Sequence, residues 1–553
     1  MKNNQTKEKL LAEIGRLKKE LKKKKKYGLI WEDKPEDVVE MCKEKFPVLK
    51  EVKNKEIITD RNKPINLLIE GDNYHALSVL NYTHAKKVDV IYIDPPYNTG
   101  SGDFKYNDKF IDIEDPFRHS KWLSFMKKRL SLAKNLLKNS GLIFISINDI
   151  EIAQLKMLCD KIFQEQNFLA LISWQSTDTL RNDAKYFSAN SEFILCYAKE
   201  KGKAKIKGFI KGEKQKNYYK NDDKNGKGPY LLTPLHAKSG SESGIYEFIF
   251  KNKQTWRPPK GTFPRFAYET LARLEREGRI WLDPKGNKIP QRKTYLSEVG
   301  ERMPLWTFWR YEDFGSTRQS NQELSDILDK GIFQNPKPTK LVKIIVDSVM
   351  EKDGVMLDFF AGSGTTGHAI LGLNNDDGGN RRFILCTNNE ELDSNGNKIK
   401  HKICSDVCYP RVEKIIGGYK NSKGEKIIGL GGNLKYFKTD FVDYKEPTDK
   451  NKIRLTEEAI EMLCVKEGTF EEIENRVGFK IFKNSEHYSG IIFDQLAIKE
   501  FKKAISDIKG KFSVYIFSLG DDSFDEEFED IKQKIKLSPI PEAILKVYRR
   551  IFK

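Results

Sequence analysis

Short apolar runs alternate with helical periods over residues 66–147 of this 553-residue chain. The runs are typical of buried strands, while the apolar side chains between them recur at the spacing of a helix that packs on one face. Repeated strand–helix–strand units imply a parallel sheet with helices on both faces. We therefore predict an α/β fold that begins near residue 61. The predicted elements are a strand and turn at 66–73, a helix at 75–80, a strand at 88–93, a helix at 122–137 and a strand at 141–147.

The same pattern returns in the second half of the chain. An apolar run at 355–360 predicts a buried strand, small residues at 361–367 predict a turn that opens a helix, and the run at 382–386 predicts the next strand. Farther on, the pattern indicates an amphipathic helix at 456–465 and a final mixed segment that contains residues 512–518, and we recognise no catalytic arrangement of residues there.

The stretch between these two α/β regions has a different character. Residues 201–227 are rich in lysine, glycine and asparagine. Aromatic residues beside arginine and proline then follow at 256–259, 263–266, 279–281 and 306–310. Basic side chains suit phosphate contacts and aromatic rings suit stacking on bases. The alternative is that the aromatics form the core of a small domain; we expect this of most of them, with the basic side chains around them touching nucleic acid.

The N-terminus is rich in lysine, and Leu10, Ile14, Leu17 and Leu21 have helical spacing within residues 1–26. We favour a solvated helix there, with a small docking helix or a phosphate-binding arm as the alternative.

The chain carries a formal net charge of +18, and 38% of its residues are hydrophobic. This excess of positive charge favours a polyanionic partner, although taken alone it would equally suit a basic proteome or a membrane-surface protein. No apolar stretch approaches the roughly 20 residues that span a bilayer, and there is no signal-peptide core, so we expect a cytoplasmic protein without membrane contact. The seven scattered cysteines predict small buried residues and no metal site.

The apolar run at 88–93 leads directly into Asp94-Pro95-Pro96-Tyr97. An exocyclic amino group of adenine or cytosine is a poor nucleophile, because its lone pair is delocalised into the ring. A carboxylate and a neighbouring carbonyl can hold its N–H bonds while the nitrogen becomes tetrahedral, and Asp94 with the Pro95 carbonyl would supply them. The prolines stiffen the loop, and the Tyr97 ring offers a face on which a base swung out of a duplex can stack.

The strand at 355–360 is followed by Ala361-Gly362-Ser363-Gly364-Thr365. Small residues in a strand-to-helix turn let a cofactor approach the backbone closely, with amide groups turned toward it. A phosphate-binding P-loop is excluded, because no glycine–lysine–serine/threonine sequence follows at the required spacing. A glycine turn alone is weak evidence, so the interpretation depends on its pairing with the loop at 94–97. The alternative is two unrelated turns.

Loops at the carboxyl ends of adjacent parallel strands converge, so we expect the two motifs to meet in one cleft that holds cofactor and base. Glu390 follows the strand at 382–386, where an acidic residue typically accepts the ribose hydroxyls of a nucleoside cofactor. Glu391 is an alternative for this role, and a merely solvated carboxylate is another.

Together these motifs resemble those of S-adenosylmethionine-dependent DNA amino-methyltransferases. Their order, with the catalytic loop first and the cofactor turn last, is similar to that of adenine-specific enzymes of the beta arrangement. The chain more narrowly resembles the Mod subunit of type III restriction–modification systems over roughly residues 60–440. The motifs that carry this resemblance are Asp94-Pro95-Pro96-Tyr97-Asn98-Thr99-Gly100, Arg279-Ile280-Trp281, Lys293-Thr294-Tyr295-Leu296 and Pro304-Leu305-Trp306.

The resemblance implies a Rossmann-like methyltransferase sheet with an inserted target-recognition domain and a small C-terminal extension. It implies methyl transfer from S-adenosyl-L-methionine to N6 of adenine in duplex DNA by base flipping, in a restriction–modification system. The candidate catalytic residues are Asp94, Pro95, Pro96 and Tyr97. The candidate cofactor contacts are Lys337, Pro338, Thr339, Asp358, Phe360, Ala361, Gly362, Ser363, Gly364, Thr365 and Glu390. The resemblance places Lys337, Pro338 and Thr339 over the methionine end of the cofactor.

We predict five regions along the chain. They are a basic N-terminal helical segment at 1–60, the catalytic half of the methyltransferase domain at 61–198, a target-recognition region at 199–330, the cofactor half at 331–440 and a C-terminal α/β extension at 441–553. Candidate partners are double-stranded DNA, a restriction (Res) subunit and a second copy of the chain. Two alternatives stay open: N4-cytosine methylation, which uses the same chemistry, and a non-catalytic DNA-specificity subunit of a nuclease complex. Aspartate at position 94 favours adenine by family association, and the presence of Asp94 and Tyr97 weighs against a binding-only role.

Overall fold

The computed structural model describes residues 32–179, 184–392, 401–444, 448–520, 522 and 524–552. The helix predicted within residues 1–26 lies outside these residues. The chain divides into two compact units. The first unit comprises Met1–Ala204, Thr307–Val346 and Met350–Lys553, and the second comprises Lys205–Trp306 and Asp347–Val349.

A large sheet is the framework of the first unit. Its main strands, in chain order, are β1 (Lys45–Glu51), β2 (Ile65–Glu70), β3 (Val88–Ile93), β4 (Leu137–Ile147), β5 (Phe168–Gln175), β6 (Ser191–Ala198), β7 (Phe308–Trp309), β8 (Val355–Asp358), β9 (Arg382–Thr387) and β10 (Asn433–Asp443). Across the sheet their order is β1-β10-β2-β9-β8-β3-β4-β6-β5-β7, and the short strand Ile57–Ile58 pairs with β10.

The centre of this sheet is parallel. The strands β10, β2, β9, β8, β3 and β4 all pair in parallel with their neighbours in this series, whereas β1 and β6 pair antiparallel with theirs. Parallel strands are covered on both faces and so need nearly continuous apolar side chains, which β3 and β8 have. The predicted α/β fold and its parallel sheet are confirmed.

Helices connect and cover these strands. In chain order they include α1 (Asn73–Thr83), α2 (Arg118–Leu136), α3 (Ile152–Phe163), α4 (Thr317–Ile327), α5 (Thr339–Val349), α6 (Thr365–Asp377) and α7 (Tyr409–Gly417). The face of α2 that carries Trp122, Met126 and Leu130 is fully buried, as its spacing predicted. Shorter elements of this unit are the helices Asp37–Met41 and Tyr311–Phe314 and the strand pairs Ser101–Tyr106 with Lys109–Asp112, Glu391–Leu392 with His401–Lys402, and Gly418–Lys420 with Lys426–Ile428.

A second sheet lies in the C-terminal part of the first unit. Its strands are β11 (Glu471–Arg476), β12 (Phe479–Lys483), β13 (Tyr488–Ile492), β14 (Phe512–Phe517) and β15 (Ile535–Ile540), which are neighbours in chain order. The accompanying helices are Asp449–Glu458, Ile460–Glu467, Ile498–Ile505 and Glu542–Ile551. The single helix predicted at 456–465 is therefore wrong. It is interrupted at Ala459, whose N–H bonds to the Thr456 carbonyl and whose ψ of 0° leaves the helical region.

The second unit is built from short strands around a small core. Tyr230–Pro234, Gln291–Tyr295 and Ile280–Trp281 form its three-stranded sheet. Trp256, Phe248 and Leu271 are buried together, which agrees with the expectation that aromatics form a domain core. Its other elements are the helices Glu213–Lys216 and Tyr268–Arg276 and the strand pairs Phe209–Ile210 with Arg302–Met303, His236–Ala237 with Phe263–Pro264, and Phe248–Ile249 with Thr255–Trp256.

Three differences from the predicted regions stand out. Residues 45–51, expected in a helical segment, form β1, because Phe46, Val48 and Leu49 are buried as it pairs with β10. Residues 307–330, expected in the recognition region, belong to the first unit, and Phe308–Trp309 pairs with β5. The predicted boundary at residue 441 falls inside β10.

All seven cysteines are buried and unpaired with one another, as predicted. Within the residues that the structure describes, no helix has the length and apolar character needed to cross a membrane.

Candidate active site

The two sequence motifs meet at one edge of the large sheet. The strands β3 and β8 are adjacent and parallel, with Met356 opposite Val90 and Leu357 opposite Ile91. Asp94 follows the end of β3, and Phe359 follows the end of β8. Because parallel strands present their carboxyl ends on the same edge, the loop at 94–97 and the turn at 361–364 leave the sheet side by side. This juxtaposition was predicted from the sequence and is confirmed.

Asp94 lies in a network of four polar side chains. Its Oδ1 accepts a hydrogen bond from the Tyr97 hydroxyl at 2.8 Å, and its Oδ2 accepts one from Lys337 Nζ at 2.8 Å. Glu192, near the start of β6, has its Oε2 2.8 Å from the Tyr97 hydroxyl and 3.3 Å from Lys337 Nζ. We call these four side chains the Asp94 network. It brings together positions from three separate parts of the sequence.

Burial and the charges of the neighbouring side chains determine the protonation states of Lys337 and Tyr97 in this network. Burial alone would lower the pKa of Lys337, but the carboxylates of Asp94 and Glu192 outweigh it, and the pKa is raised above its ordinary value. Burial, followed by the same two carboxylates, raises the pKa of Tyr97 well above its ordinary value. Lys337 is therefore a cation and Tyr97 a neutral phenol at neutral pH.

The loop that carries Asp94 is fixed from its other side. Pro95 is buried, and the Pro96 carbonyl accepts a hydrogen bond from Trp122 Nε1 at 2.8 Å. Asn98 has a left-handed φ of 58°, and its Nδ2 donates to the fully buried Glu151 at 2.6 Å. Burial raises the pKa of that glutamate. The loop thus has little freedom beyond the stiffness that its prolines provide.

The glycine turn is fixed mainly by backbone conformation. Gly362 and Gly364 have φ values of +48° and +78°, in the left-handed region that favours glycine. A Cβ on Gly362 would lie 3.1 Å from Phe333 Cζ, and one on Gly364 would lie 3.2 Å from Cys408 Sγ. The Ala361 N–H donates to the Cys386 carbonyl at 3.1 Å, which ties the turn to β9. The turn therefore packs tightly against Phe333 and Cys408 and requires glycine at both positions.

The side chain of Asp358, a predicted cofactor contact, points into the protein interior. Only 3% of it is exposed; its Oδ1 accepts from the Phe360 N–H at 3.0 Å and its Oδ2 from the Thr366 hydroxyl at 2.6 Å. Burial raises the pKa of Asp358 to about 7, against the two hydrogen bonds, which lower it. Its side chain therefore links the turn to the start of α6. Phe360 packs near Phe125, with ring centroids 5.9 Å apart.

Three other predicted contacts surround a buried arginine that the sequence did not reveal. Arg411, fully buried in α7, donates to the hydroxyls of Thr365 at 2.8 Å, Ser363 at 3.1 Å and Thr339 at 3.1 Å. The Thr339 hydroxyl in turn donates to Glu323 at 2.8 Å. These hydroxyls thus join the glycine turn to the N-terminus of α5, where Pro338 is the residue before the helix. Their side chains have a structural role in this arrangement.

Glu390 lies beyond the carboxyl end of β9, next to β8, as its predicted role requires. Its side chain is 42% exposed, and Lys105 Nζ lies 3.7 Å from its Oε1. Glu70, at the end of β2, is instead engaged by the Tyr436 hydroxyl and by Lys438. Glu390 is the more accessible of these two carboxylates for a ligand at this edge.

Comparison with known families agrees with this geometry. Residues 88–398 match the family of N6/N4 DNA methylases, which is more than half of the chain. The chain belongs to this DNA methylase family.

Individual relatives sharpen the assignment. The Mod subunit of the type III restriction–modification enzyme StyLTI, from Salmonella typhimurium, is 34% identical over 63% of this chain and 57% of that protein. The type II methyltransferase M.KpnI, from Klebsiella pneumoniae, is 30% identical over 65% of this chain and 89% of that protein. The chain matches three type III Mod subunits over 57%, 60% and 62% of their length. The predicted resemblance to these subunits is confirmed.

A solved M1.HpyAVI–SAM complex is 16% identical, with a TM-score of 0.28 over 59% of this chain and 94% of that one.

Proposed function

We propose that this chain transfers a methyl group from S-adenosyl-L-methionine to N6 of adenine in duplex DNA, as the modification component of a restriction–modification system. The observation that supports this most strongly is the position of Asp94 just after β3, beside the glycine turn that follows the adjacent strand β8. A base-holding carboxylate and a cofactor-binding turn are thereby placed in reach of one another.

The residues at this edge fit the proposed cofactor. Gly362 and Gly364 hold the turn in its left-handed conformation, and we propose that the backbone of this turn contacts the cofactor. The accessible Glu390 carboxylate suits ribose hydroxyls, and the turn around Ala361 suits the nucleoside. When bound, the cofactor supplies an electrophilic methyl group on a positively charged sulfur. We propose that Ser363, Thr365, Thr339 and Asp358 contribute by shaping the turn through their internal hydrogen bonds.

Asp94 would hold the target amino group. A carboxylate has about four acceptor positions, so Asp94 can accept from an amino group while it also accepts from Tyr97 and Lys337. The Pro95 carbonyl would accept a hydrogen bond from the second N–H of the amino group. The Tyr97 ring, which is anchored by its hydroxyl, would stack on the flipped base. The second unit, with its basic surface residues, is our candidate for target recognition.

Adenine is the proposed target because aspartate precedes the two prolines, which favours adenine by family association, and because the chain is similar to type III Mod subunits. The test is to incubate the purified protein with unmethylated genomic DNA and methyl-labelled S-adenosylmethionine, and to identify the labelled nucleoside by mass spectrometry. We expect N6-methyladenine within one short sequence motif. Label in N4-methylcytosine alone would contradict the adenine assignment, and salt-sensitive DNA binding without label would favour a recognition-only subunit.

Assembly with a restriction subunit is part of the proposal and is supported by the similarity to type III Mod subunits. Co-expression with the product of an adjacent restriction gene, followed by size-exclusion chromatography, tests it. The same measurement on the isolated chain gives its oligomeric state.

A further inference from the structure

The segment that leads into β6 carries two consecutive aromatic side chains that are almost fully exposed. Tyr186 is 81% exposed and Phe187 is 96% exposed. Single exposed apolar residues are common on protein surfaces, but two large rings side by side in water are typical of a surface that binds a partner. At these exposures neither ring contributes to a buried core, so both are available to a ligand.

The sheet topology places this segment at the edge where the candidate active site lies. The strand β4 is parallel to β3, and β6 is antiparallel to β4, so β6 begins at the edge where β3 ends. The strand β5 is antiparallel to β6 and ends at the same edge. The connection between β5 and β6 therefore leaves and re-enters the sheet on the side of the Asp94 network, and the Asn190 carbonyl accepts the Ser176 N–H at 3.0 Å where the two strands meet.

Phe187 is close to the Asp94 network along the chain. It precedes Glu192 by five residues, which span at most about 18 Å even when fully extended. Glu192 Oε2 in turn lies 2.8 Å from the hydroxyl of Tyr97, whose ring is proposed to receive the base. A duplex that delivers a base to Tyr97 has to lie against this edge of the sheet, within reach of the exposed rings.

The charges around the segment suit a polyanion. Lys185 is exposed, and Arg318, in the first turn of α4, is 77% exposed. This turn is joined to the end of β5, because the Thr317 N–H donates to the Ser176 carbonyl at 2.8 Å. Asp178 lies 3.8 Å from Arg318 and offsets part of its charge. Together with the net charge of +18, these cations favour DNA over another protein as the partner of the exposed rings.

We propose that Phe187 is a wedge that enters the duplex and fills the space left by the flipped base. This rests on the function proposed above. Extrusion of a base leaves its neighbours without a stacking partner, and an apolar side chain inserted between them replaces part of the lost contact. Phe187 is the more exposed of the two rings, whereas the centre of the Tyr186 ring lies 5.3 Å from Lys185 Nζ, beside a cation suited to phosphate. Phe187 thus stabilises the flipped state and takes no part in the methyl transfer itself.

The test compares Phe187→Ala with the wild type on two duplexes that contain the sequence motif identified by the labelling experiment. The target adenine is paired in one duplex and mismatched in the other, which lowers the cost of extrusion. On the paired duplex we expect the single-turnover rate to fall about 10- to 100-fold, from the loss of one stacking contact between an aromatic ring and a base. On the mismatched duplex the loss should shrink to less than about threefold, because the base is already largely unstacked.

Two further variants are controls. Phe187→Leu keeps an apolar wedge and should retain most of the rate on the paired duplex. Leu496→Ala removes a side chain that is 88% exposed in the C-terminal part of the first unit, and it should match the wild type on both duplexes. All three variants should melt at the temperature of the wild type, because these side chains are exposed and their removal changes stability little.

An unchanged rate for Phe187→Ala on the paired duplex would overturn the wedge and leave the exposed rings as a surface for another protein. An equal loss on both duplexes would also overturn it, since a general role in folding or DNA binding does not depend on how the target base is paired. A wild type that methylates no DNA contradicts the proposed function and the wedge together, whereas failure of the wedge alone leaves wild-type methylation intact.

Discussion

The catalytic loop and the glycine turn leave adjoining strands, yet they are held in different ways. The loop at 94–97 depends on charged and polar side chains from β6 and from the segment before α5, through Glu192 and Lys337. The turn at 361–364 depends on left-handed glycines and on hydroxyls that surround Arg411. The loop at 94–97 is therefore held by electrostatic interactions, and the turn at 361–364 is held mainly by its backbone conformation. Substitutions in the first should change the chemistry, and substitutions in the second should change cofactor binding and stability.

The largest effect is expected for Asp94→Ala. Removing the carboxylate that holds the amino group should lower the rate of methyl transfer by about 10³-fold or more, as for the loss of a preorganised electrostatic partner. Duplex affinity, measured by fluorescence anisotropy, should change little, because DNA affinity depends mainly on basic side chains that bind the phosphates and Asp94 is acidic. A variant that still transfers methyl groups at the wild-type rate would remove Asp94 from the mechanism.

Lys337→Met should follow, with a loss of about 10²-fold in the single-turnover rate, because it leaves the half-buried carboxyl groups of Asp94 and Glu192 without their cation. Lys340→Met is the matched control, since Lys340 is exposed on the first turn of α5 and bonds only a surface carbonyl among the contacts described. Equal losses in the two variants would contradict a specific role for Lys337.

Gly364→Ala tests the role of backbone conformation in the turn at 361–364. At a φ of +78° and with Cys408 3.2 Å from the new Cβ, alanine should lower the free energy of unfolding by about 1–3 kcal/mol. Cofactor affinity, measured by isothermal titration calorimetry, should weaken as the turn shifts. Gly378→Ala separates strain from binding, because Gly378 has a φ of +68° but open space around it. The second variant should lose some stability and keep its cofactor affinity.

The smallest effect concerns the pH dependence of stability at Asp358. Its pKa is raised to about 7 in the folded chain, above the ordinary 3.8, so its contribution to stability is full below about pH 4 and is lost as the pH rises toward 7. Asp358→Asn should flatten this part of the thermal-stability profile by an amount below about 1.4 kcal/mol per pH unit. A profile that falls with pH equally in both proteins would show that other groups set the dependence.

The parts predicted well from the sequence are those that local pattern determines. The strands at 88–93 and 355–358 are mostly apolar, and the left-handed conformations at 362 and 364 favour glycine. Adjacent parallel strands then place the two motifs together without further information. The edges of the sheet were harder, because β1 and β7 take their conformation from the strands beside them, and β7 has only two residues.

The side chains that complete the site were not predictable in the same way. Glu192 and Arg411 act through contacts with residues far away in the sequence, and no local pattern reports such a contact. Two signals were available: a carboxylate at position 192 in a mostly apolar strand, and an arginine on the buried face of α7. Lys337 was expected near the cofactor, and its hydrogen bond to Asp94 became visible only in three dimensions.

The path of the chain through the large sheet also bears on how such proteins can diverge. The chain leaves the sheet at the end of β6, at Ala198, and returns at β7, at Phe308, and both strands flank β5. Nearly all of the second unit is encoded between these two points, while the Asp94 network and the glycine turn are encoded outside them. A single recombination event confined to residues 205–306 could therefore replace one inserted unit by another in one generation. The residues of the Asp94 network and of the glycine turn would be inherited unchanged.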